Sequence, residues 1–306
     1  MKDLRYWQAS GSRVKIFRRA QGVCRVRIKN KMLQVLLAWI WFLCLGTVKS
    51  EANDQKWDRL LVGFPKFSKM PLNELDAEAA GWIKDGCCDE QNDYVGNRYL
   101  KDNDTSTRLI FGIDGTIAGI QTTITPTKIY PGQSSSSPWI RVNKDEAIAT
   151  AYFRNPATIC NKINSCEAKP TFGHELYIQT KSWLTKEGKK MIKIPTSGLK
   201  NTAWVKGRCF KNMGMHYWFN ISQNLKCEEI FPIFLLFDDA SEKLKSFGWA
   251  VPIKINSTMW EHPPQKYFGF FFKKLTDIPR CLMDNHISTQ HVYLTDPAKL
   301  TCVKRL

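Results

Sequence analysis

The uncharged segment Met32–Gly46 restricts the folding of this chain most, because it decides which compartment the following residues enter. Its apolar core, Val35–Leu45, is eleven residues long. A membrane-spanning helix needs roughly 20 apolar residues, whereas the hydrophobic part of a secretory signal needs only about 7–15. The length therefore predicts a cleavable signal peptide over residues 32–52, with small residues placed for cleavage after Ser50 or Ala52.

Residues 1–31 form a cationic extension that is longer than the basic start of an ordinary signal. One interpretation makes Met32 the true start, so that residues 1–31 are absent from the mature protein. The alternative is a type II signal-anchor, because a basic flank favours retention of an apolar segment with that flank in the cytoplasm. In both cases residues 53–306 are expected to form a single extracellular domain, with a membrane partner only if the signal is uncleaved.

The net charge of +17 invites a nucleic-acid-binding interpretation, but the distribution of the charge disfavours it. Residues 1–50 hold 11 Lys or Arg and one Asp, which leaves 34 Lys or Arg and 27 Asp or Glu in the remainder. Nucleic-acid binding usually needs a concentrated basic face, often with stacking aromatic residues. We therefore expect no nucleic-acid partner. Small basic groups such as Lys273-Lys274 are interpreted as solvated turns that attract acidic glycans or membrane surfaces weakly at most.

Eight cysteines follow the signal, and an even number in an exported chain predicts a disulfide framework. The candidates are Cys87, Cys88, Cys160, Cys166, Cys209, Cys227, Cys281 and Cys302. The simplest local pairs are Cys160–Cys166, Cys209–Cys227 and Cys281–Cys302. A bond between the adjacent Cys87 and Cys88 would be strained, so each is expected to pair with a distant partner.

Three Asn-x-Ser/Thr sequons follow the signal, at Asn103, Asn220 and Asn256. The tripeptide gains weight from the signal, because only an exported chain meets the glycosylation machinery. Asn103 lies in a polar stretch and is the best candidate. Asn220 follows an aromatic run and is expected to be less accessible.

No metal or cofactor is expected. Zinc ligands are typically spaced as C-x₂₋₄-C or H-x₃₋₅-H. His286 and His291 fit the second spacing, but no cysteine pair of the first kind accompanies them.

Short β-rich runs separated by turn residues predict a mainly β or α+β fold. We expect an antiparallel sandwich or barrel-like sheet with one N-terminal helix, cross-linked by disulfides. The helix is predicted between Pro71 and Gly86 from apolar residues at helical spacing, and a weaker one over Asp239–Lys245. Asp114-Gly115 between two apolar runs predicts a hairpin turn. Further strand candidates are Ala147–Phe153, Glu175–Thr180, Met191–Ile194, His216–Ile221, Ile230–Phe237, Phe247–Ile255, Tyr267–Phe272 and His291–Leu294.

The run Phe268–Phe272 has two interpretations. It is either a buried core strand, which aromatic residues commonly form, or an apolar ligand wall or membrane-touching patch. The core strand is favoured, with the lysines that follow acting as charged gatekeepers against aggregation.

Motifs for catalysis are absent: the chain has no G-x-S-x-G elbow and no P-loop. Five histidines remain as acid–base candidates: His174, His216, His262, His286 and His291. The run His216-Tyr217-Trp218 is the candidate ligand-binding segment, because a pocket typically combines an apolar wall with one polar group.

The sequence therefore favours a secreted, disulfide-bonded glycoprotein with a non-catalytic binding or extracellular-matrix role. Its partner is expected to be an extracellular protein, a glycan or a small apolar ligand. Two alternatives stay open: a secreted hydrolase whose site is assembled from distant residues, and a type II membrane protein with the same extracellular domain.

Overall fold

A computed structural model describes residues 57–88, 91–128, 130–132, 137–161, 172–187 and 191–303, which belong to one compact unit. The predicted basic extension and signal peptide lie outside these residues. Within the described ranges, no helix combines the length and the apolar character needed to cross a bilayer.

Two antiparallel sheets account for most of the regular structure, which confirms the prediction of a mainly β fold with antiparallel pairing. In chain order, the strands are β1 Leu61–Val62, β2 Ser68–Lys69, β3 Ile83–Gly86, β4 Asn97–Lys101, β5 Asp104–Phe111, β6 Ile117–Ile124, β7 Ile140–Arg141, β8 Ala147–Tyr152, β9 Leu176–Ile178, β10 Ile192–Ile194, β11 Trp204–Phe210, β12 Gly214–Phe219, β13 Ile233–Phe237, β14 Leu244–Val251 and β15 Ser288–Tyr293.

The first sheet has the order β11-β12-β13-β14-β15-β1-β2, and the second has the order β10-β9-β8-β6-β5-β4-β3, with β7 paired to β8. Neither order returns to its starting strand, so the barrel-like alternative is not found among the described residues. The hairpin predicted at Asp114-Gly115 is confirmed as the β5–β6 pair. Its turn is longer than two residues, because the register closes only at Phe111 and Ile117.

The two sheets share one hydrophobic core. Phe153, which follows β8, packs against Phe247 of β14 with ring centroids 6.4 Å apart. Gln290 on β15 donates a 2.6 Å hydrogen bond to the Thr107 hydroxyl on β5. Because side chains alternate along a strand, residues such as His291 and Phe234 point to the opposite face of the first sheet. That outer face is also covered, which explains why all five residues of β13 are buried.

The helices in the described part of the chain are few and short. Helix α1 spans Glu74–Ala79 and helix α2 spans Arg280–Asp284. Short 3₁₀ helices occur at Pro156–Thr158, Cys227–Glu229, Gln265–Phe270, Leu275–Asp277 and Pro297–Lys299.

The helix predicted between Pro71 and Gly86 is wrong over much of that range, because Ile83–Gly86 is a strand paired with β4. Gly81, at φ +84°, adopts a backbone conformation that ends a helix. Leu75, one of the apolar residues at helical spacing that led to this prediction, is 79 % exposed. The helix predicted over Asp239–Lys245 is also wrong: residues 239–243 form a turn and a short connection, and Leu244 and Lys245 begin β14.

Candidate ligand-binding site

A cavity of about 530 Å³ lies on the outer face of the first sheet. Nine of its eighteen lining residues are Phe, Trp or Tyr, so aromatic surface dominates its wall. The aromatic residues are Phe64, Phe210, Trp218, Phe234, Tyr267, Phe268, Phe270, Phe271 and Phe272. We call this space the aromatic cavity.

Strand alternation decides which part of the predicted ligand-binding run reaches the cavity. His216 and Trp218 on β12 point into it, and both stack near Phe234 on the neighbouring strand, at centroid distances of 5.8 and 5.1 Å. Tyr217 points to the other face. Its ring packs 5.2 Å from that of Phe237, and it does not line the cavity.

Residues Pro263–Phe272, here called the aromatic segment, cover the cavity from outside the sheet. The strand predicted over Tyr267–Phe272 is wrong, since this stretch is largely 3₁₀ helix. Phe268 and Phe272 are each 3 % exposed, whereas Tyr267 and Phe270 are 42 % and 50 % exposed. The buried positions are thus four apart rather than two apart, which is the spacing of a helical face.

The aromatic segment is fixed to the sheet through the Phe271 carbonyl. This oxygen accepts hydrogen bonds from the Arg208 backbone N–H at 3.0 Å and from the Trp218 indole N–H at 3.3 Å. A Cβ at Gly207 would lie 2.2 Å from the same oxygen, so the approach requires glycine. The Trp218 and Phe272 rings stack with centroids 4.5 Å apart.

One polar group stands out in the wall. The Glu261 carboxylate accepts hydrogen bonds at Oε2 from the Thr289 hydroxyl at 2.8 Å and from His291 Nδ1 at 3.1 Å. Two backbone hydrogen bonds between Glu261 and Thr289 hold the pair in place. Glu261 Oε1 is buried and has no hydrogen-bond partner among the described residues. Such an atom is costly to bury unless a donor reaches it.

His216 behaves as part of the apolar wall. Its ring is fully buried, and Nδ1 lies 3.1 Å from the Arg208 carbonyl oxygen. Burial, together with the nearby His291, lowers the pKa of His216 to about 3, although its backbone hydrogen bonds act in the opposite direction. The ring is therefore neutral at physiological pH.

The hydrogen bonds of His216, His262 and His291 do not form a nucleophile–base pair. In the described residues the ring hydrogen bonds of His216 and His262 go to backbone carbonyls, and that of His291 goes to a carboxylate. The Thr289 hydroxyl donates to Glu261 rather than to a histidine. A hydrolytic triad needs the hydroxyl bonded to the histidine, with the carboxylate behind it.

A second and broader concavity, the polar groove, has a volume of about 1590 Å³. Two of the predicted glycosylation sites, Asn103 and Asn256, border it, whereas Asn220 does not. All three asparagines are exposed, including Asn220, which was expected to be less accessible. None of them lines the aromatic cavity.

The disulfides join parts of the chain that are distant in sequence. The pairs are Cys88–Cys160, Cys209–Cys302 and Cys227–Cys281, with Cα atoms 5.3–5.6 Å apart. The three local pairs expected from spacing are therefore wrong. Cys88 does have a distant partner, as expected, whereas Cys166 lies outside the described residues. Disulfides of this number are typical of an oxidising, extracellular-type environment.

Sequence reasoning missed several residues of the site. Glu261 lies 30 positions before the histidine that it binds. Phe64 lies in a bend and Phe210 at the end of strand β11, and neither has a distinguishing motif. The phenylalanine run was the available signal, since a ligand wall was one of its two interpretations. Across the described ranges, no cluster of three or more His, Cys, Asp or Glu is placed to hold a metal ion.

Comparisons with known proteins do not assign this chain to a family. The chain matches no protein-family model, and no curated protein and no solved structure is significantly similar to it.

Proposed function

We propose that this protein is a secreted, N-glycosylated, non-catalytic binding protein that holds a small apolar ligand in the aromatic cavity. The observation that carries the proposal is the cavity wall itself. Ligand pockets typically measure roughly 300–1,000 Å³ and combine mainly apolar walls with a few polar groups. A volume of about 530 Å³ and a mainly aromatic wall that includes the Glu261 carboxylate fit that description.

The polar cluster supports a role in orienting the ligand. Glu261 Oε1 is an acceptor without a partner among the described residues, whereas Oε2 is already occupied by Thr289 and His291. A ligand with one hydroxyl or N–H donor would satisfy Oε1 after a small shift of the carboxylate. We therefore expect a largely apolar molecule with a donor group at one end.

The aromatic cavity is a better ligand site than the polar groove. Glycans on Asn103 and Asn256 would crowd the polar groove, because both asparagines border it. The three sequons leave the aromatic cavity open.

Titration with a neutral fluorescent probe, N-phenyl-1-naphthylamine, tests the proposal. We expect one probe per chain, with energy transfer from Trp218, which lies in the wall. Met213→Trp fills part of the cavity and should weaken binding about tenfold or more, since overpacking excludes the probe. Leu75→Trp is the matched control, because Leu75 is 79 % exposed and lies outside the cavity.

Thermal unfolding of each variant establishes that it is folded before binding is compared. Binding that Met213→Trp leaves unchanged would place the probe elsewhere and contradict the proposal. The same holds if the folded wild-type protein does not bind the probe.

A further inference from the structure

Three chain segments meet at the mouth of the aromatic cavity. They are residues 63–70, residues 207–214 and residues 263–276. Phe210 connects them, because its ring centroid lies 6.3 Å from that of Phe64 and 6.3 Å from that of Phe270. The Arg208 guanidinium also donates to the Lys273 carbonyl at 3.3 Å.

These segments expose apolar side chains that a water-facing surface does not require. Phe67, Tyr267, Phe270 and Leu275 are 40 %, 42 %, 50 % and 73 % exposed. Tyr267 and Phe270 stack on each other with ring centroids 6.1 Å apart. A grouped set of exposed apolar residues marks an interaction surface, whereas scattered single residues do not.

The same segments carry charge of one sign. They contain seven exposed basic residues and no Asp or Glu: Lys66, Lys69, Arg208, Lys211, Lys266, Lys273 and Lys274. We call these seven residues the basic rim. In sequence, the third segment is flanked by two acids: Asp277, which accepts from the Lys274 backbone N–H at 3.0 Å, and Glu261, which lines the cavity.

We propose that the mouth of the aromatic cavity docks onto a bilayer surface that contains anionic phospholipid. Exposed aromatic and aliphatic residues accompanied by several exposed cations are the combination that inserts shallowly into the interface of such a bilayer. Each cation close to the surface strengthens binding about fivefold. In contrast to the sequence-based expectation, this membrane contact needs no uncleaved signal segment.

The mouth is organised before it meets the membrane. The hydrogen bonds to the Phe271 carbonyl and the stacking of Trp218 on Phe272 hold the aromatic segment against the sheet. Because little ordering is needed on contact, the apolar side chains contribute more of their burial to binding. Tyr267 and Phe270 both line the cavity, so the docked cavity opens towards the bilayer.

Co-sedimentation of the full secreted protein with vesicles tests the proposal, without any ligand in the cavity. Vesicles of phosphatidylcholine alone are compared with vesicles of phosphatidylcholine and phosphatidylserine. We expect binding only to the second kind, weakened by salt because surface charges are screened. Ligand binding in the cavity is measured separately, so either proposal can fail without the other.

Two variants separate the contribution of the exposed aromatic rings to vesicle binding from that of the lysines. Tyr267→Ser with Phe270→Ser removes the exposed rings and should reduce vesicle binding about tenfold or more. Lys266→Gln with Lys273→Gln and Lys274→Gln should reduce it about 100-fold. Matched controls alter exposed residues elsewhere: Leu75→Ser with Ile83→Ser, and Lys128→Gln with Lys144→Gln and Lys200→Gln. These controls should bind as the wild type does.

Three results would overturn the proposal. The first is that the wild-type protein does not sediment with phosphatidylserine vesicles. The second is that the control variants lose as much binding as the mouth variants. The third is that the variant with Tyr267→Ser and Phe270→Ser binds as the wild type does. The last result, together with retention on heparin beads, would assign the basic rim to acidic glycans instead. Circular dichroism of every variant excludes unfolding as the cause of a loss.

Discussion

His216 is a titratable side chain that forms part of the apolar wall of the aromatic cavity. The ring lies between aromatic neighbours, 5.0 Å from Phe271 and 5.8 Å from Phe234 between centroids. Its burial lowers the pKa to about 3 from an ordinary value of 6.5. Because burial disfavours the charged ring, protonation of His216 destabilises the folded state.

The pH dependence of stability follows from that pKa. Between about pH 3 and 6.5 the unfolded chain binds a proton at His216 and the folded chain does not. The free energy of unfolding should therefore fall as pH is lowered through this window, by roughly 1 kcal/mol per pH unit. His216→Gln should remove that slope, which guanidinium unfolding between pH 4.5 and 6.5 measures.

An exposed histidine provides the control for this experiment. His286→Gln should leave the slope as in the wild type, because the side chain is exposed. Equal slopes in wild type and His216→Gln would contradict the assignment of His216 as the buried neutral group. The measured range, pH 4.5 to 6.5, stays above the titration of Asp238, whose ordinary pKa is 3.8. Burial acts to raise the pKa of Asp238, but hydrogen bonds from Thr301 and Ser241 lower it to about 2.

At the scale of elements, the aromatic segment depends on one glycine of β11. Gly207 has no side chain where the Phe271 carbonyl approaches, and a Cβ there would meet that oxygen at 2.2 Å. The clash involves backbone on both sides, so no rotamer change relieves it. The aromatic segment must shift if Gly207 is replaced.

Gly207→Ala should lower the free energy of unfolding by about 1–3 kcal/mol, as overpacking does. It should also weaken probe binding in the cavity. Gly269→Ala is the matched control in the same structure, because its Cβ meets only the flexible Leu275 side chain at 3.3 Å. Chemical unfolding and probe titration of both variants test this difference. Equal effects of the two substitutions would show that the approach at Gly207 does not position the segment.

The disulfides show why spacing along the chain did not predict pairing between elements. Cys209 at the edge strand β11 is bonded to Cys302, 93 positions later. Cys227 in a 3₁₀ turn is bonded to Cys281 on helix α2. Sheet order, rather than sequence distance, brings these cysteines together. A predicted local pair such as Cys281–Cys302 instead flanks strand β15.

For the whole molecule, the proposed export has the most testable consequences. The secreted protein should begin after Ser50 or Ala52 and carry N-glycans at Asn103, Asn220 and Asn256. Intact mass before and after enzymatic deglycosylation, with N-terminal sequencing, measures both. Each Asn→Gln substitution should remove one glycan. A mature N-terminus that retains residues before Ser50 would contradict cleavage and support the signal-anchor alternative.

The two faces of the first sheet have different surroundings: one packs in the shared core and the other lines the aromatic cavity, where we propose that the ligand binds. The inner face meets the second sheet in the shared core, through contacts such as Phe153 with Phe247. The outer face carries His216, Trp218, Phe234 and His291 beneath the aromatic segment. Substitutions in the first set should affect stability chiefly, and those in the second set should also affect binding.

Elements whose formation depends on the residues within one short segment could be predicted from the sequence. The β-rich runs, the turn at Asp114-Gly115 and the strands at Ala147–Tyr152 and Ile233–Phe237 could be predicted because backbone preferences act over a few residues. The helix beyond Ala79 and the strand at Tyr267–Phe272 could not. Gly81 and the burial of Phe268 with Phe272 outweighed the local pattern there.

The sequence alone also determined the composition of the domain, with its cysteines, sequons and dispersed basic residues, and the expectation of export. Only the tertiary structure decided which cysteines pair, and that Phe64, Phe210, Trp218, Glu261 and His291 share one cavity. The physical reason is that contacts between residues far apart in the chain depend on strand order and on which face each side chain takes. Tyr217, between two cavity residues in sequence, points away from the cavity for that reason.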